Sequence, residues 1–369
     1  MPDRFLVTAV GAVVEIDVSR RSADFRAVAF DAWADARYDG ADAPDAPDAP
    51  DATAVVPAGT GDAEALSALS TEVTMKALAH RRHDHVWMLH AAGLAARDGR
   101  VVVLSAASGT GKTTAARHLA RRYAYVSDET IGIDDAGRVV PYRKPLSIIE
   151  RRDAPKAQIA LSSTDRGRAL PDDLRVAKIV VIDRSDDGPE EPEVDPLDIS
   201  EALALLGPQT SYLADGPAPL RRIAALLAAT GGAVRVRYRE VDRIDAVIDD
   251  LMRTPSRPVD AVTEETTSPV IGTPEPGGLV RAETVDALAL DGRTVLLRRT
   301  PTGGQVHVLD GIGPDIWAAA DGRPLEGIVR AVVAAHGEPA GEDAHTIVER
   351  AVRRLLADGV LRAVDAPRL

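Results

Sequence analysis

One short segment restricts the fold of this chain more than any other: a loop of small residues, Ala106–Thr114, between an apolar strand and a helix. It reads Ala-Ala-Ser-Gly-Thr-Gly-Lys-Thr-Thr. Small residues let successive backbone amides point inward and form an anion-binding nest at a helix N-terminus. A strand, such a loop, Lys-Thr and a helix in this order are typical of nucleotide-binding α/β proteins. The segment therefore predicts an α/β phosphate-loop domain.

Two side chains of this loop have distinct predicted roles. Lys112 would neutralise the β- and γ-phosphates of a bound nucleotide, and the hydroxyl of Thr113 would bind Mg²⁺. Ala106 stands where the motif usually has its first glycine, and alanine is tolerated there if its φ is negative. The predicted nucleotide-binding residues are Ser108, Gly109, Thr110, Gly111, Lys112, Thr113 and Thr114.

Two aspartates follow apolar strands, and each is a candidate for a metal ligand or a base. Asp128 follows the strand 123–127, and Asp183 ends the strand Val176–Asp183. A carboxylate beside the phosphate loop can hold Mg²⁺ through water or accept a proton. Asp128 comes only 16 positions after Lys112, one helix and one turn away, so we favour it and keep Asp183 as the alternative.

The composition excludes several classes of protein. A length of 369 residues suits two or three domains. The net charge of −13 argues against a nucleic-acid partner. The absence of cysteine excludes disulfides, cysteine-ligated metals and thiol catalysis. No segment approaches the ~20 apolar residues of a membrane span, so we expect a cytoplasmic protein with no membrane partner.

Two proline-rich interruptions divide the chain: an Asp-Ala-Pro spacer at 42–52 and a linker at 255–278. Residues 1–254 mix strands and helices, with strands expected at Phe5–Val18 and Phe25–Phe30, and are predicted to form the nucleotide-binding domain. Residues 279–369 contain three short strands and then three helices. This order predicts a small α+β, winged-helix-like domain, and the long linker predicts that it folds alone.

A resemblance to a known family gives the first domain a more specific interpretation. His90-Ala91-Ala92, the loop Ser108–Thr113 and Ser127-Asp128-Glu129 together resemble the HPr kinase-like family. The resemblance is good over residues 85–150 and loose elsewhere in 1–252. It implies transfer of phosphate from ATP to a serine hydroxyl, with His90 and Lys112 at the phosphates and Asp128 as the base. It also implies Mg²⁺ bound by Thr113, Asp128 and a further acid, for which Glu150 is the candidate.

A second resemblance covers residues 279–364. The runs Val306–Trp317, Asp321–Leu325 and Leu355–Leu361 resemble PqqD-like domains, which recognise the leader of a precursor peptide in pathways to ribosomally made peptide natural products (RiPPs). These domains bind the leader as an extra strand, which an edge strand permits. The arginines of the last helix would suit an acidic leader. The implied leader-binding residues are Gln305, Val306, His307, Val308, Leu309, Ile347, Val348, Arg350, Ala351, Arg354 and Leu355.

Two functions remain open from the sequence. The first is an ATP- and Mg²⁺-dependent kinase that phosphorylates a Ser or Thr of the precursor peptide. The second is a non-catalytic recognition protein, as in daptide-type pathways, which delivers the precursor to separate tailoring enzymes. Ala106 and the lack of a C-terminal Gly/Arg signature found in HPr kinases favour the second function. The intact set of His90, Lys112, Thr113 and Asp128 favours the first.

Overall fold

The structure is a computed structural model that describes most of the chain. The described residues are 1–38, 40, 49–56, 59–148, 157–164, 167–254, 257–259, 264–265, 277–301 and 303–364. Most of the predicted spacer 42–52, most of the predicted linker 255–278, and Glu150 lie outside these ranges. None of the described helices is long and apolar enough to span a membrane.

The described chain contains both strands and helices throughout, in agreement with the predicted mixture of α and β structure. The strands are β1 (Arg4–Ala9), β2 (Ala12–Asp17), β3 (Ala52–Val55), β4 (Val86–Leu89), β5 (Ala91–Ala95), β6 (Arg100–Ser105), β7 (Ala124–Ser127), β8 (Ile131–Asp134), β9 (Val139–Val140), β10 (Leu146–Ile148), β11 (Ala157–Ile159), β12 (Arg175–Arg184), β13 (Glu193–Leu197), β14 (Ala233–Tyr238), β15 (Glu264–Glu265), β16 (Leu279–Arg281), β17 (Asp286–Leu290), β18 (Arg293–Thr300), β19 (Gly303–Leu309) and β20 (Leu361–Ala363). The α-helices are α1 (Ala23–Ala32), α2 (Asp62–Arg81), α3 (Lys112–Leu119), α4 (Ile199–Leu206), α5 (Pro219–Ala229), α6 (Asp245–Arg253), α7 (Gly313–Ala319), α8 (Leu325–His336) and α9 (Ala344–Ala357).

Spatial contacts between Cα atoms divide the chain into two compact units. The first unit comprises Met1–Asp198, Gln209–Pro217 and Ala225–Val259. The second comprises Ile199–Pro208, Ala218–Ala224 and Asp260–Leu369. Helix α4 and the start of α5 therefore group with the C-terminal segment, although they lie inside the sequence range 1–254 that was expected to form one domain.

A six-stranded sheet forms the centre of the first unit, in the order β13-β14-β12-β6-β5-β7. Strand β12 runs parallel to β6 and β14, and β5 runs antiparallel to β6 and β7. Helices α3 and α6 share one apolar core with this sheet, to which Leu104, Leu119 and Ile248 contribute. The strands β6, β7 and β12 therefore all end at the same edge of the sheet.

The N-terminal segment differs from its sequence interpretation in two ways. The expected strand Phe5–Val18 is a hairpin of β1 and β2, because Val10 and Gly11 adopt positive φ angles of 50° and 80° and turn the chain. The expected strand Phe25–Phe30 is wrong, since these residues lie in helix α1. The Ser22 side chain caps this helix by accepting a hydrogen bond from the amide of Phe25.

The second unit is built on the sheet β15-β17-β18-β19, with β19 at one end. Helices α7, α8 and α9 cover one face of this sheet and enclose Leu296 and Trp317 in a common core. The predicted three strands followed by three helices are thus present. A short pair, β16 and β20, joins the start of this segment to its end.

The opposite face of the same sheet is also buried. Val295 and Leu297, which flank Leu296 on β18 and point to the other face, have exposures of 0%. Helix α4 packs against β18 and β19, and the Arg293 guanidinium donates to Ser200 Oγ on α4 at 2.7 Å. Residues 279–369 lack α4 and would on their own expose part of this apolar face to water, while the expectation that they fold alone stays a prediction.

Candidate functional site

The predicted catalytic residues gather at one edge of the six-stranded sheet. His90 comes directly before β5, and Asp128 comes directly after β7. In the strand pairing Ala91 is opposite Ser105, the last residue of β6, and Gly93 is opposite Ser127. The start of β5 and the ends of β6 and β7 thus meet at the same edge, and the phosphate loop leaves β6 there.

Two glycines give the loop left-handed backbone positions of the kind that anion nests use. Gly109 and Gly111 adopt φ angles of 87° and 99°, a region that side chains rarely enter. Apart from its two chain neighbours, no heavy atom of the described residues lies within 4 Å of the position that a Cβ on Gly109 would occupy, so the loop borders open space there. Ala106 does not have a positive φ, so the alanine at this position causes no left-handed strain.

The surface of the loop is accessible to a ligand. Ser108, Gly109, Thr113 and Thr114 are exposed, while Thr110 and Gly111 are half-buried. Helix α3 begins at Lys112, so the first-turn amides of α3 have no partner within the helix and are available to an anion. Each predicted nucleotide-binding residue except Lys112 is thus at least partly exposed.

Lys112 is buried, and its ammonium group faces the other candidate residues. Its exposure is 8%, and Nζ donates a hydrogen bond to the backbone carbonyl of His90 at 3.1 Å. Burial lowers the pKa of Lys112 to about 8, although the nearby carboxylates of Asp128 and Glu129 favour its charged form. A lysine held in this way can exchange a neutral carbonyl for a phosphate oxygen.

The His90 imidazole shares this environment. Burial and the charge of Lys112 lower its pKa, while Glu129 and Asp128 oppose the shift. The neutral imidazole is therefore favoured near pH 7. The same electrostatic neighbours act on Lys112 and on His90, which means that four charged or titratable side chains form one cluster at this edge.

Two members of the surroundings were not identified from the sequence. Lys144 has an exposure of 7%, and its ammonium forms an ion pair with the Glu129 carboxylate at 2.7 Å. Tyr125, on β7, is 2% exposed, and burial together with the Asp128 charge raises the pKa of its hydroxyl. Nothing in the local sequence around Lys144 distinguishes it from a surface lysine. Its partner Glu129, in contrast, is marked in the sequence by its position beside Asp128 at the end of a strand.

The alternative base, Asp183, lies at the same sheet edge but in different surroundings. Its strand β12 neighbours β6, with Val181 opposite Ser105. Asp183 is exposed, and it contributes to the raised pKa of Arg237 rather than to the shifts of Lys112 or His90. The charge of Asp128, rather than that of Asp183, thus acts on Lys112.

The residues at the edge are compatible with Mg²⁺. Within the described ranges no group of three or more His, Asp or Glu side chains forms a ready metal site. Mg²⁺ in nucleotide sites is usually held by one or two carboxylates or hydroxyls, with phosphate oxygens and water completing the shell. The Thr113 hydroxyl and the Asp128 carboxylate supply donors of this kind, whereas Glu150 lies outside the described residues.

The residues implied for leader binding fall into two groups. On β19, Gln305 is exposed and Val306, His307 and Val308 are half-buried, while Leu309 is in the core. On α9, Val348 and Leu355 are also core residues, with exposures of 2% and 7%. These three apolar side chains are therefore packed in the core of the second unit, and their assignment as leader-contact residues stays a prediction.

The remaining candidates on α9 are accessible. Ile347 and Ala351 are half-buried, and Arg350 and Arg354 are exposed. Arg350 donates to both carboxylate oxygens of Glu342, at 3.1 and 2.9 Å, so much of its charge is already compensated. Burial lowers the pKa of His307, and the charges of Arg298 and of Asp358 also act on it. Asp358 directly follows α9, so His307 lies near the end of this helix. Strand β19 and the end of α9 thus border a common surface.

Comparison with known proteins adds no family assignment. Neither the known protein-family models nor the curated protein sequences contain a match to this chain.

Proposed function

We propose that this protein binds Mg-ATP at the phosphate loop and transfers the γ-phosphoryl group to a Ser or Thr hydroxyl of a precursor peptide. The observation that carries the proposal is the cluster of Lys112, His90, Asp128 and Glu129 beside a loop with two left-handed glycines. In this cluster the pKa values of Lys112 and His90 are lowered, and shifted pKa values beside an anion-binding loop are typical of functional sites.

Each side chain has a definite task in this reaction. The loop amides and the Lys112 ammonium bind the phosphates and compensate their charge. The Asp128 carboxylate accepts the proton of the peptide hydroxyl while the hydroxyl oxygen bonds to the γ-phosphorus and the bond to ADP breaks. The neutral His90 imidazole donates a hydrogen bond to a phosphate oxygen. Mg²⁺, when bound, adds positive charge at the β- and γ-phosphates.

The second unit would supply the peptide. Among the described strands β19 lies at one end of its sheet, so its outer edge can pair with an extended segment. Capture of a leader at this edge raises the effective concentration of the target hydroxyl. We therefore expect a full-length precursor to be phosphorylated at much lower concentration than a peptide without its leader.

A non-catalytic recognition role is the second candidate, favoured by the lack of the C-terminal Gly/Arg signature of HPr kinases. In that case the phosphate loop would bind nucleotide without turnover, and the peptide would be passed to separate tailoring enzymes. The two candidates share ATP and leader binding and differ only in phosphoryl transfer.

The deciding experiment incubates the full chain with Mg-ATP and the precursor peptide and follows the peptide mass for one added phosphoryl group. Mg-ATP binding is measured in parallel by calorimetry, for the wild type and for Lys112→Ala. We expect at least about tenfold weaker binding for Lys112→Ala, because the phosphates then meet only amide dipoles.

Lys76→Ala is the matched control, since Lys76 is exposed on helix α2 and, among the described residues, forms an ion pair with Glu72 of the same helix. It should bind Mg-ATP like the wild type. ATP binding without a mass change would support the recognition role instead. The nucleotide proposal itself fails if the wild type does not bind at millimolar Mg-ATP.

A further inference from the structure

The second unit contains a pocket lined by three arginines, on a chain that is otherwise acidic. Its volume is about 470 Å³, and Arg298, Arg299 and Arg362 form its walls together with residues 282–285. We propose that this pocket binds carboxylate side chains of an acidic peptide segment. The proposal rests on the peptide-binding function proposed above and identifies the chemistry of the bound segment.

Arg298 is held in place by the end of helix α9. Its guanidinium donates a hydrogen bond to the backbone carbonyl of Asp358 at 3.1 Å. Gly359 makes this approach possible, because a Cβ at that position would lie 2.7 Å from Nη1 of Arg298. Gly359 also has a φ of +68°, which favours glycine. The guanidinium is therefore ordered before a ligand arrives, which lowers the entropic cost of binding.

The pocket carries an excess of positive charge. Among the described residues that line it, three are arginines and one, Glu283, is acidic. Arg362 is exposed, and within the described part of the chain its side chain has no ion pair or hydrogen bond. A planar guanidinium matches the two oxygens of a carboxylate, so arginines grouped in this way suit Asp or Glu side chains.

The position of the pocket fits a peptide that also uses the edge strand. Arg298 on β18 is directly opposite Gln305 on β19. Neighbouring strands lie about 5 Å apart. A peptide segment that leaves the outer edge of β19 near Gln305 therefore has only a short distance to cross to reach Arg298. His307 lies on the same side of the sheet, and the charge of Arg298 helps to lower the pKa of its imidazole.

The test uses rhodamine-labelled hexaglutamate as the probe, with hexaglutamine as the uncharged comparison, and measures fluorescence anisotropy with the full chain at low salt. A net charge of −13 repels hexaglutamate, so binding requires a local basic site. We expect hexaglutamate to bind, hexaglutamine not to bind, and affinity to fall about fivefold for Arg362→Ser and for Arg298→Ser.

Two variants serve as controls. Arg330→Ser removes an exposed arginine of helix α8 outside this pocket and should leave the affinity for hexaglutamate unchanged. Lys112→Ala should also leave it unchanged, which separates the pocket from the phosphate loop. Unlabelled hexaglutamate and inorganic pyrophosphate are then added separately as competitors of the labelled probe. We expect pyrophosphate to displace the probe only at concentrations well above those at which unlabelled hexaglutamate displaces it.

The outcomes are decisive in each direction. No binding of hexaglutamate, or binding that Arg298→Ser and Arg362→Ser leave intact, overturns the pocket proposal. Displacement by pyrophosphate at lower concentration than by hexaglutamate overturns the assignment to carboxylates. Since Mg-ATP binding and phosphorylation of the precursor are measured separately, failure here differs from failure of the proposed function.

Discussion

Lys112 combines burial with a neutral hydrogen-bond partner, and this makes its charge sensitive to pH. In the free protein its pKa is about 8, so the ammonium form predominates below that pH and the neutral amine above it. Phosphates bind the ammonium form. We therefore expect the affinity for Mg-ATP to be constant from about pH 7 to 7.5 and to fall by up to about tenfold per pH unit above 8.

Calorimetric titrations at a series of pH values check this expectation. Lys112→Arg is the control, because its guanidinium stays charged over the whole range, and its affinity should not show the same decline. An identical pH profile for wild type and Lys112→Arg would assign the decline to another group.

Asp128 is predicted to act in the chemical step rather than in nucleotide binding. Asp128→Asn should abolish phosphorylation of the precursor and change the affinity for Mg-ATP by less than about fivefold. Its lost negative charge also lowers the pKa of Lys112 further, so the decline in ATP affinity should begin at lower pH. Turnover is read from the peptide mass, with Asp183→Asn as the comparison. Loss of turnover only in Asp183→Asn would transfer the role of base to Asp183.

The sequence predicted the site well where chemistry follows a local pattern. The phosphate loop and Asp128 could be located because a motif or a strand end marks them. Lys144 could not, because its burial results from packing and its partner Glu129 is 15 positions away. Ion pairs between distant segments leave no periodic trace in a single sequence.

Helix α9 has two faces with different tolerance to charge. Val348 is 2% exposed in the core of the second unit, whereas the Arg354 side chain is 86% exposed on the same helix. Val348→Asp places an unpaired carboxylate in an apolar core and should destabilise the second unit by roughly 3 kcal/mol or more. Arg354→Asp should change stability by less than about 0.5 kcal/mol. Chemical denaturation measures both, and equal stability of the two variants would contradict the assignment of Val348 to the core.

Helix α1 illustrates why some elements were misassigned from the sequence. Phe25, Ala27 and Ala29 alternate with other residues and suggest a strand, but the buried residues are Phe25, Ala29 and Ala32. Those three follow the helical repeat, and the Ser22 cap starts the helix. A short apolar segment can fit both the two-residue repeat of a strand and the 3.6-residue repeat of a helix. The capping residue Ser22 was therefore the better indication of a helix.

The second unit depends on a buried carboxylate that links two distant parts of the chain. Asp286, at the start of β17, has an exposure of 4% and accepts hydrogen bonds from the amides of Leu220 and Arg221 at 2.9 and 3.3 Å. These amides belong to the first turn of α5, where they have no helical partner. Asp286→Ala should cost roughly 2–4 kcal/mol, since it leaves the buried amides unsatisfied.

Differential scanning calorimetry of the full chain tests this prediction. Asp310→Ala, which removes an exposed carboxylate of the same unit, is the control and should unfold at the wild-type temperature. An unchanged transition in Asp286→Ala would show that the capping contact contributes little.

The burial of the C-terminal sheet under α4 also constrains the order in which this protein matures on the ribosome. Helix α4 ends at Leu206, and its partner strand β19 ends about a hundred residues later, at Leu309. At ~5–20 residues per second, synthesis of the intervening chain takes roughly 5–20 s. During that interval the apolar side of α4 has no sheet to cover it, so the core between α4 and the sheet can form only after β19 has been synthesised.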